Sequence, residues 1–98
     1  MNLKDAIKSN DINKVRMLLL NGKEIDTTDE EGMTPLMWAA QAQLPEMVEL
    51  LLEMGANPKL KDNLGYDAMG IACFNGEISN NAYSKECKRI ITILKAVG

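Results

Sequence analysis

The stretch that decides the fold is residues 32–55, GMTPLMWAAQAQLPEMVELLLEMG. Thr34 followed by Pro35 predicts a helix start, because Thr can cap first-turn N–H groups and Pro has no N–H to satisfy. Pro45 predicts a second helix start after a break, and the residues behind it place apolar side chains at helical spacing. Gly55 is typical of a helix end. The stretch therefore predicts a hairpin of two short helices.

The same features recur along the chain at a fixed interval of 33 residues. The pairs at this interval include Val15/Val48, Gly22/Gly55, Asp29/Asp62 and Gly32/Gly65. A period of this length predicts a repeat architecture built from one supersecondary unit. In the loops between units, the segments DEEG (29–32) and DNLG (62–65) predict tight turns, since Gly accepts positive φ and Asp hydrogen-bonds its own backbone.

These residues resemble the ankyrin repeat family, most closely in DEEGMTPLMWAA (29–40) and EMVELLLEMGAN (46–57). The resemblance implies an all-α solenoid of three helix-turn-helix units with protruding β-turn fingers, which acts by binding other proteins. We interpret residues 1–98 as one ankyrin-repeat domain. Its units are 1–27, an N-terminal cap without a finger, then 28–60, and then 61–98.

The third unit departs from the family pattern in two ways. It has Asp67 at the helix start where the family has Thr, and Asp can also cap a helix. Ten additional residues, EISNNAYSKE (77–86), separate its two helices. Insertions in repeat proteins often form binding loops, and Asn80, Asn81 and Tyr83 suit that role. A solvated cap over the end of the solenoid fits equally well.

Composition and charge restrict the function classes. The net charge of −3 combines an acidic middle with basic ends, which suits a basic protein partner better than nucleic acid. The basic ends fit solubilising caps better than a binding patch.

There is no histidine, and no phosphate-loop motif occurs. The carboxylates at 26–31 do not follow the calcium-loop spacing. The sequence thus predicts no enzymatic activity, no cofactor and no metal site.

No apolar run approaches the roughly 20 residues that a membrane-spanning helix needs, and no signal peptide is recognisable. We therefore expect a cytoplasmic protein that does not enter a membrane. The two cysteines are too few for a disulfide framework, and Cys73 fits a small core residue.

The family resemblance implies that partners meet the finger tips and the concave face made by the first helices. Carried over to this sequence, the partner-binding positions are Thr28, Glu30, Glu31, Met33, Trp38, Gln41, Lys61, Asn63, Leu64, Tyr66, Ile71, Phe74 and Asn75. For Trp38 and Tyr66 we favour contact with a partner over packing in a groove between neighbouring helices, because Trp and Tyr are enriched among interface hot spots. Met33 and Phe74 fit packing between helices equally well.

The sequence thus favours a protein-binding module that occupies a partner's surface, as a monomer or in a 1:1 complex. Its partner would present basic residues around an apolar patch. Small acidic proteins of this kind resemble bacterial immunity proteins, so the partner could be a toxin domain. The alternative is an adaptor, a regulatory subunit or a host-directed effector that joins or positions cellular proteins.

Overall fold

The computed structural model describes residues 2–22, 24–79 and 82–97. In these ranges the regular secondary structure is almost all helix, which confirms the all-α prediction. The helices are α1 (Leu3–Lys8), α2 (Ile12–Leu20), α3 (Pro35–Gln41), α4 (Pro45–Glu53), α5 (Ala68–Gly76) and α6 (Lys85–Val97). Two short strands, β1 (Glu77–Ser79) and β2 (Ala82–Tyr83), lie between α5 and α6.

The helix ends follow the local sequence signals. Thr34 Oγ1 accepts the Met37 N–H at 3.3 Å, and Pro35 is the first residue of α3. Asp67 Oδ1 accepts the Gly70 N–H at 2.8 Å and caps α5 as expected. Gly55 follows α4 with φ of 102°, a left-handed conformation that glycine adopts without a steric penalty. The capping predictions are confirmed.

The helices stack in two layers, so that the molecule is elongated, with extents of 42 × 26 × 24 Å. The first helices of the pairs, α1, α3 and α5, lie side by side, and the second helices, α2, α4 and α6, form the other layer. Fully buried side chains join the layers, among them Ile7, Leu36, Met47, Leu51 and Ile90. Each helix pair therefore buries its apolar side against its neighbours.

Two turns, which we call the first finger (29–33) and the second finger (62–66), have the same hydrogen bonds. In the first finger, Asp29 Oδ1 accepts the backbone N–H groups of Glu31 and Met33, each at 2.9 Å. In the second finger, Asp62 Oδ1 accepts those of Leu64 and Tyr66, each at 2.9 Å. The Asp-x-x-Gly turns predicted from the sequence are confirmed.

The two fingers are also bonded to each other. The Asn63 backbone N–H donates to the Glu31 carbonyl at 3.0 Å, and Asn63 Nδ2 donates to the Glu30 carbonyl at 3.0 Å. Gly32 lies so close to Asn63 that a Cβ at position 32 would collide with its side chain. The fingers therefore form one surface instead of two independent loops.

The insertion is a short antiparallel hairpin that is tied to the helices. Ser84 N–H donates to the Gly76 carbonyl at 2.8 Å, and Ser84 Oγ donates to Gln43 Oε1 at 3.1 Å. Ser84 Oγ also accepts the Cys87 N–H at 3.0 Å, so that α6 begins at Lys85, within the segment 77–86 that the sequence assigns to the insertion. Asn80 and Asn81, which suit a binding loop in the sequence analysis, lie outside the described residues.

Candidate functional site

A groove of about 250 Å³ lies between the two fingers and the exposed sides of α3 and α5. Its apolar lining consists of Met33, Leu64, Tyr66, Ile71 and Phe74, and its polar lining of Glu31, Gln41, Asp62 and Asn75. Apart from Asp62, all of these residues are among the partner-binding positions expected from the sequence. The structure thus brings eight of those thirteen positions together around one concavity.

Three large apolar side chains in the groove are exposed to solvent. Leu64 at the tip of the second finger is 81% exposed, Phe74 on α5 is 77% exposed and Tyr66 is 46% exposed. The rings of Tyr66 and Phe74 are adjacent, with centroids 6.5 Å apart and planes tilted by 40°. Adjacent exposed apolar side chains with a polar rim are typical of protein interaction sites. The sequence did not decide whether Phe74 packs between helices or contacts a partner. In the structure its ring is exposed to solvent and is not part of the core.

Two of the expected contact residues, Met33 and Ile71, are buried, each with 6% of its surface exposed. Both belong to the hydrophobic core. Their side chains are held by the helix packing and form the floor of the groove. They therefore support the shape of the surface more than they extend from it.

Trp38 differs most from the sequence expectation of a free contact residue. It is only 5% exposed, because its ring packs in the core and its indole Nε1–H donates to Asp29 Oδ2 at 3.0 Å. Lys4 Nζ binds the same carboxylate oxygen at 3.3 Å and lies 5.5 Å from the Trp38 ring centroid. Of the two interpretations that the sequence left open for Trp38, the structure fits packing within the chain, because α1 and the first finger cover the indole.

The Asp29 carboxylate is the electrostatic centre of this cluster. Partial burial raises its pKa, but hydrogen bonds from the backbone of Met33, the indole of Trp38, the backbone of Glu31 and the ammonium of Lys4 outweigh that effect. The pKa of Asp29 is therefore lower than that of a free aspartate. The cluster joins α1 to the first finger.

The remaining expected positions lie outside the groove. Thr28 and Glu30 line a second hollow, together with Lys4, Asp29 and Glu31. Lys61 is exposed, and Asn63 is exposed with its N–H groups donated to the first finger. Gln41, by contrast, belongs to the groove lining, and its Oε1 accepts a hydrogen bond from Lys8 Nζ at 2.8 Å.

Asp62 is the groove residue that sequence reasoning missed. The sequence assigned its carboxylate to the turn, which Oδ1 alone fulfils. The residue type could have indicated a role in the groove, because the second oxygen of a carboxylate can accept further hydrogen bonds. The Trp38–Asp29 bond could likewise have been inferred, since a buried indole N–H usually finds an acceptor.

The described residues show no cluster of metal-ligating side chains. Over 2–22, 24–79 and 82–97, no group of three or more His, Cys, Asp or Glu side chains converges on one point. Cys73 and Cys87 are both free thiols. In the same part of the chain, no helix has the length and apolar character needed to cross a bilayer.

The stack of helix pairs with bonded fingers defines a repeat solenoid, and comparison with known proteins identifies its type. The sequence model described as "Ankyrin repeats (3 copies)" matches residues 3–88. The chain therefore belongs to the ankyrin repeat family. Ankyrin repeats are in general non-catalytic modules for protein–protein interaction.

Several named proteins are similar to this chain. Human ankyrin repeat family A protein 2 is 48% identical over 52 residues, which are 53% of this chain and 17% of that protein. The ankyrin repeat, SAM and basic leucine zipper domain-containing protein 1 of Atelerix albiventris is 35% identical over 101 residues, which cover 91% of this chain and 21% of that protein. A probable palmitoyltransferase, AKR2, of Saccharomyces uvarum is 42% identical over 57 residues, 58% of this chain and 8% of its own length.

The chain thus spans between 8% and 21% of the length of these relatives. The likeness concerns repeat units that occur within much longer proteins.

Proposed function

We propose that this chain is a protein-binding module that occupies a partner's surface through the groove between its fingers and the first helices of its units. The observation that carries the proposal is the exposed trio Leu64, Tyr66 and Phe74 above the buried floor of Met33 and Ile71. A rigid floor with exposed aromatic side chains offers contact area at small entropic cost, because the backbone beneath is already ordered.

Charge supports the kind of partner that the sequence predicts. Glu31 and Asp62 both line the groove, so its apolar centre has acidic neighbours. A partner surface with basic residues around an apolar patch would complement it in both shape and charge. We propose binding as a monomer in a 1:1 complex in the cytoplasm, where free thiols such as Cys73 and Cys87 persist.

The proposal is tested by parallel affinity purification from the source cells with three tagged proteins. The first is the native chain, the second carries Leu64→Ser and Phe74→Ala in the groove, and the third carries Lys88→Ala and Arg89→Ala on α6. Native and α6 variants should recover the same partner, and the groove variant should lose it. Equal recovery by all three proteins would reject the groove as the binding surface.

Toxin neutralisation is the specific form of occlusion that the sequence suggests, and the names of the three relatives described above do not point to it. The acidic lining of the groove fits a basic toxin but is not particular to one. The test is co-expression with the product of the neighbouring gene. Protection of the cells that is lost with the groove variant would support an immunity role, and unchanged cell death would reject it.

The alternative, an adaptor that joins two proteins, is favoured by a second hollow on the opposite layer. Glu49, Lys88, Arg89 and Ile93 line this hollow between α4 and α6. An adaptor would hold one partner at each surface. Recovery of two distinct proteins, one lost with the groove variant and the other with the α6 variant, would favour this function.

A further inference from the structure

In the first finger, an aspartate binds the ammonium group of a lysine from the same chain. Asp29 uses Oδ1 to close its turn through the N–H groups of Glu31 and Met33. Its Oδ2 receives the Lys4 ammonium at 3.3 Å and the Trp38 indole N–H at 3.0 Å. The finger aspartate thus has one oxygen for the turn and one for a cation beside an aromatic ring.

In the second finger, the aspartate closes its turn in the same way, but no cation or indole lies at its second oxygen within the described ranges. Asp62 Oδ1 closes the turn with the same two 2.9 Å bonds. One period after Trp38 stands Ile71, which has no donor, and one period after Lys4 stands Met37, which is buried and apolar. Within the described ranges, Asp62 Oδ2 has no hydrogen-bond or ion-pair partner.

The groove around Asp62 has features that suit a basic side chain from another molecule. Asp62 lines the groove together with Glu31, so that two acidic residues lie at the same groove. The exposed Tyr66 and Phe74 rings lie at the same groove. Aromatic faces attract cations and also pack against the aliphatic stems of long basic side chains.

We propose that the groove binds an arginine side chain of the protein partner, with the guanidinium at Asp62 and Glu31 and the stem against Tyr66 and Phe74. This inference rests on the proposed function and specifies its central contact. The groove volume of about 250 Å³ is below the range of roughly 300–1,000 Å³ common for small-molecule sites, which favours a single inserted side chain.

Arginine fits better than lysine because of the number and kind of acceptors. A guanidinium has five N–H donors in a fixed plane and stacks on aromatic rings, whereas an ammonium is a compact point charge. The groove offers two carboxylates and an aromatic pair. At the first finger, where a single carboxylate is the ion-pair acceptor, the cation is the lysine Lys4.

The test uses a display library of random 12-residue peptides selected on the folded native protein. Enriched peptides are resynthesised with each arginine replaced by citrulline, which has a similar shape but no charge. Binding is measured for the native chain, Asp62→Asn, Phe74→Ala and the control Glu46→Gln, whose exposed side chain lies on α4 away from the groove. Asp62→Asn keeps an Oδ1 acceptor for the turn, and circular dichroism checks its fold.

We expect enriched peptides to contain an arginine, and we expect citrulline or Asp62→Asn to weaken binding at least tenfold while Glu46→Gln does not. Peptides that need Phe74 but bind equally well after citrulline replacement and to Asp62→Asn would overturn the arginine proposal and leave the groove as the binding surface. Peptides unaffected by any variant, or no enrichment at all, would overturn both.

Discussion

The indole of Trp38 donates a hydrogen bond of 3.0 Å to Asp29, nine residues before it in the chain. This contact joins helix α3 to the finger that precedes it, and Lys4 adds α1 to the same carboxylate. The bond explains why the one tryptophan of the chain is buried although it lies at a position that ankyrin repeats leave variable. Lys4 and Asp29 of the same chain therefore cover the indole.

Replacing Trp38 with Ala should destabilise the fold. The change removes a side chain that is 5% exposed and leaves a cavity, so the free energy of unfolding should fall by about 3–5 kcal/mol. Phe74→Ala is the control, because a side chain that is 77% exposed should change stability by less than about 0.5 kcal/mol. Urea unfolding followed by circular dichroism measures both. A loss below about 1 kcal/mol for Trp38→Ala would contradict the packing described here.

Acid should weaken the fold partly through Asp29. Its pKa is lowered in the folded state, so the ionised carboxylate adds stability above the unfolded pKa of about 3.9, and that stability is lost as pH falls through the folded pKa. Thermal unfolding from pH 6 down to pH 2.5 should therefore show a larger drop in Tm for the native chain than for Asp29→Asn. Parallel curves for the two proteins would show that Asp29 carries no such effect.

The two cysteines should differ in reactivity. Burial raises the pKa of Cys87, and the neighbouring Cys73 thiol raises it further, whereas Cys73 is partly exposed. Since the thiolate is the nucleophile, iodoacetamide at pH 8 should modify Cys73 and spare Cys87. Intact-mass analysis should show one adduct on the native chain and none on Cys73→Ser. Rapid modification of Cys87 would mean that α5 and α6 separate readily.

Glycine 76 should be intolerant of a side chain. It is buried at the end of α5, and a Cβ there would collide with Cys87 and with Gln43 Oε1. Gly76→Ala should therefore lower the free energy of unfolding by about 1–3 kcal/mol, as overpacking does. The same urea titration measures it. A neutral result would indicate that the hairpin can shift away from Gln43.

Local signals predicted the fold well. Thr34, Asp67 and Gly55 act through their own turn or cap, so their roles can be read from residue type and spacing. The 33-residue interval then predicts that successive helix pairs stack side by side, because neighbouring units repeat the same contacts. The hairpin in the insertion was not predictable in this way, since its place depends on Ser84 and Gly76 meeting Gln43 from an earlier unit.

The site was predicted less evenly, for a physical reason. Variable positions of a repeat are free of the packing pattern, but the sequence does not show whether another part of the same chain covers them. Lys4 and Asp29 cover Trp38, while the equivalent surroundings of Asp62 remain open. Exposure of Leu64, Tyr66 and Phe74 therefore had to come from the structure.

The most direct test of the binding groove is a backbone amide chemical-shift map of the protein titrated with its partner or an enriched peptide. The groove proposal predicts the largest shifts at residues 62–66 and 71–75, with helix α6 little changed. Shifts concentrated on residues 85–93 of α6, with 62–66 and 71–75 unaffected, would contradict it.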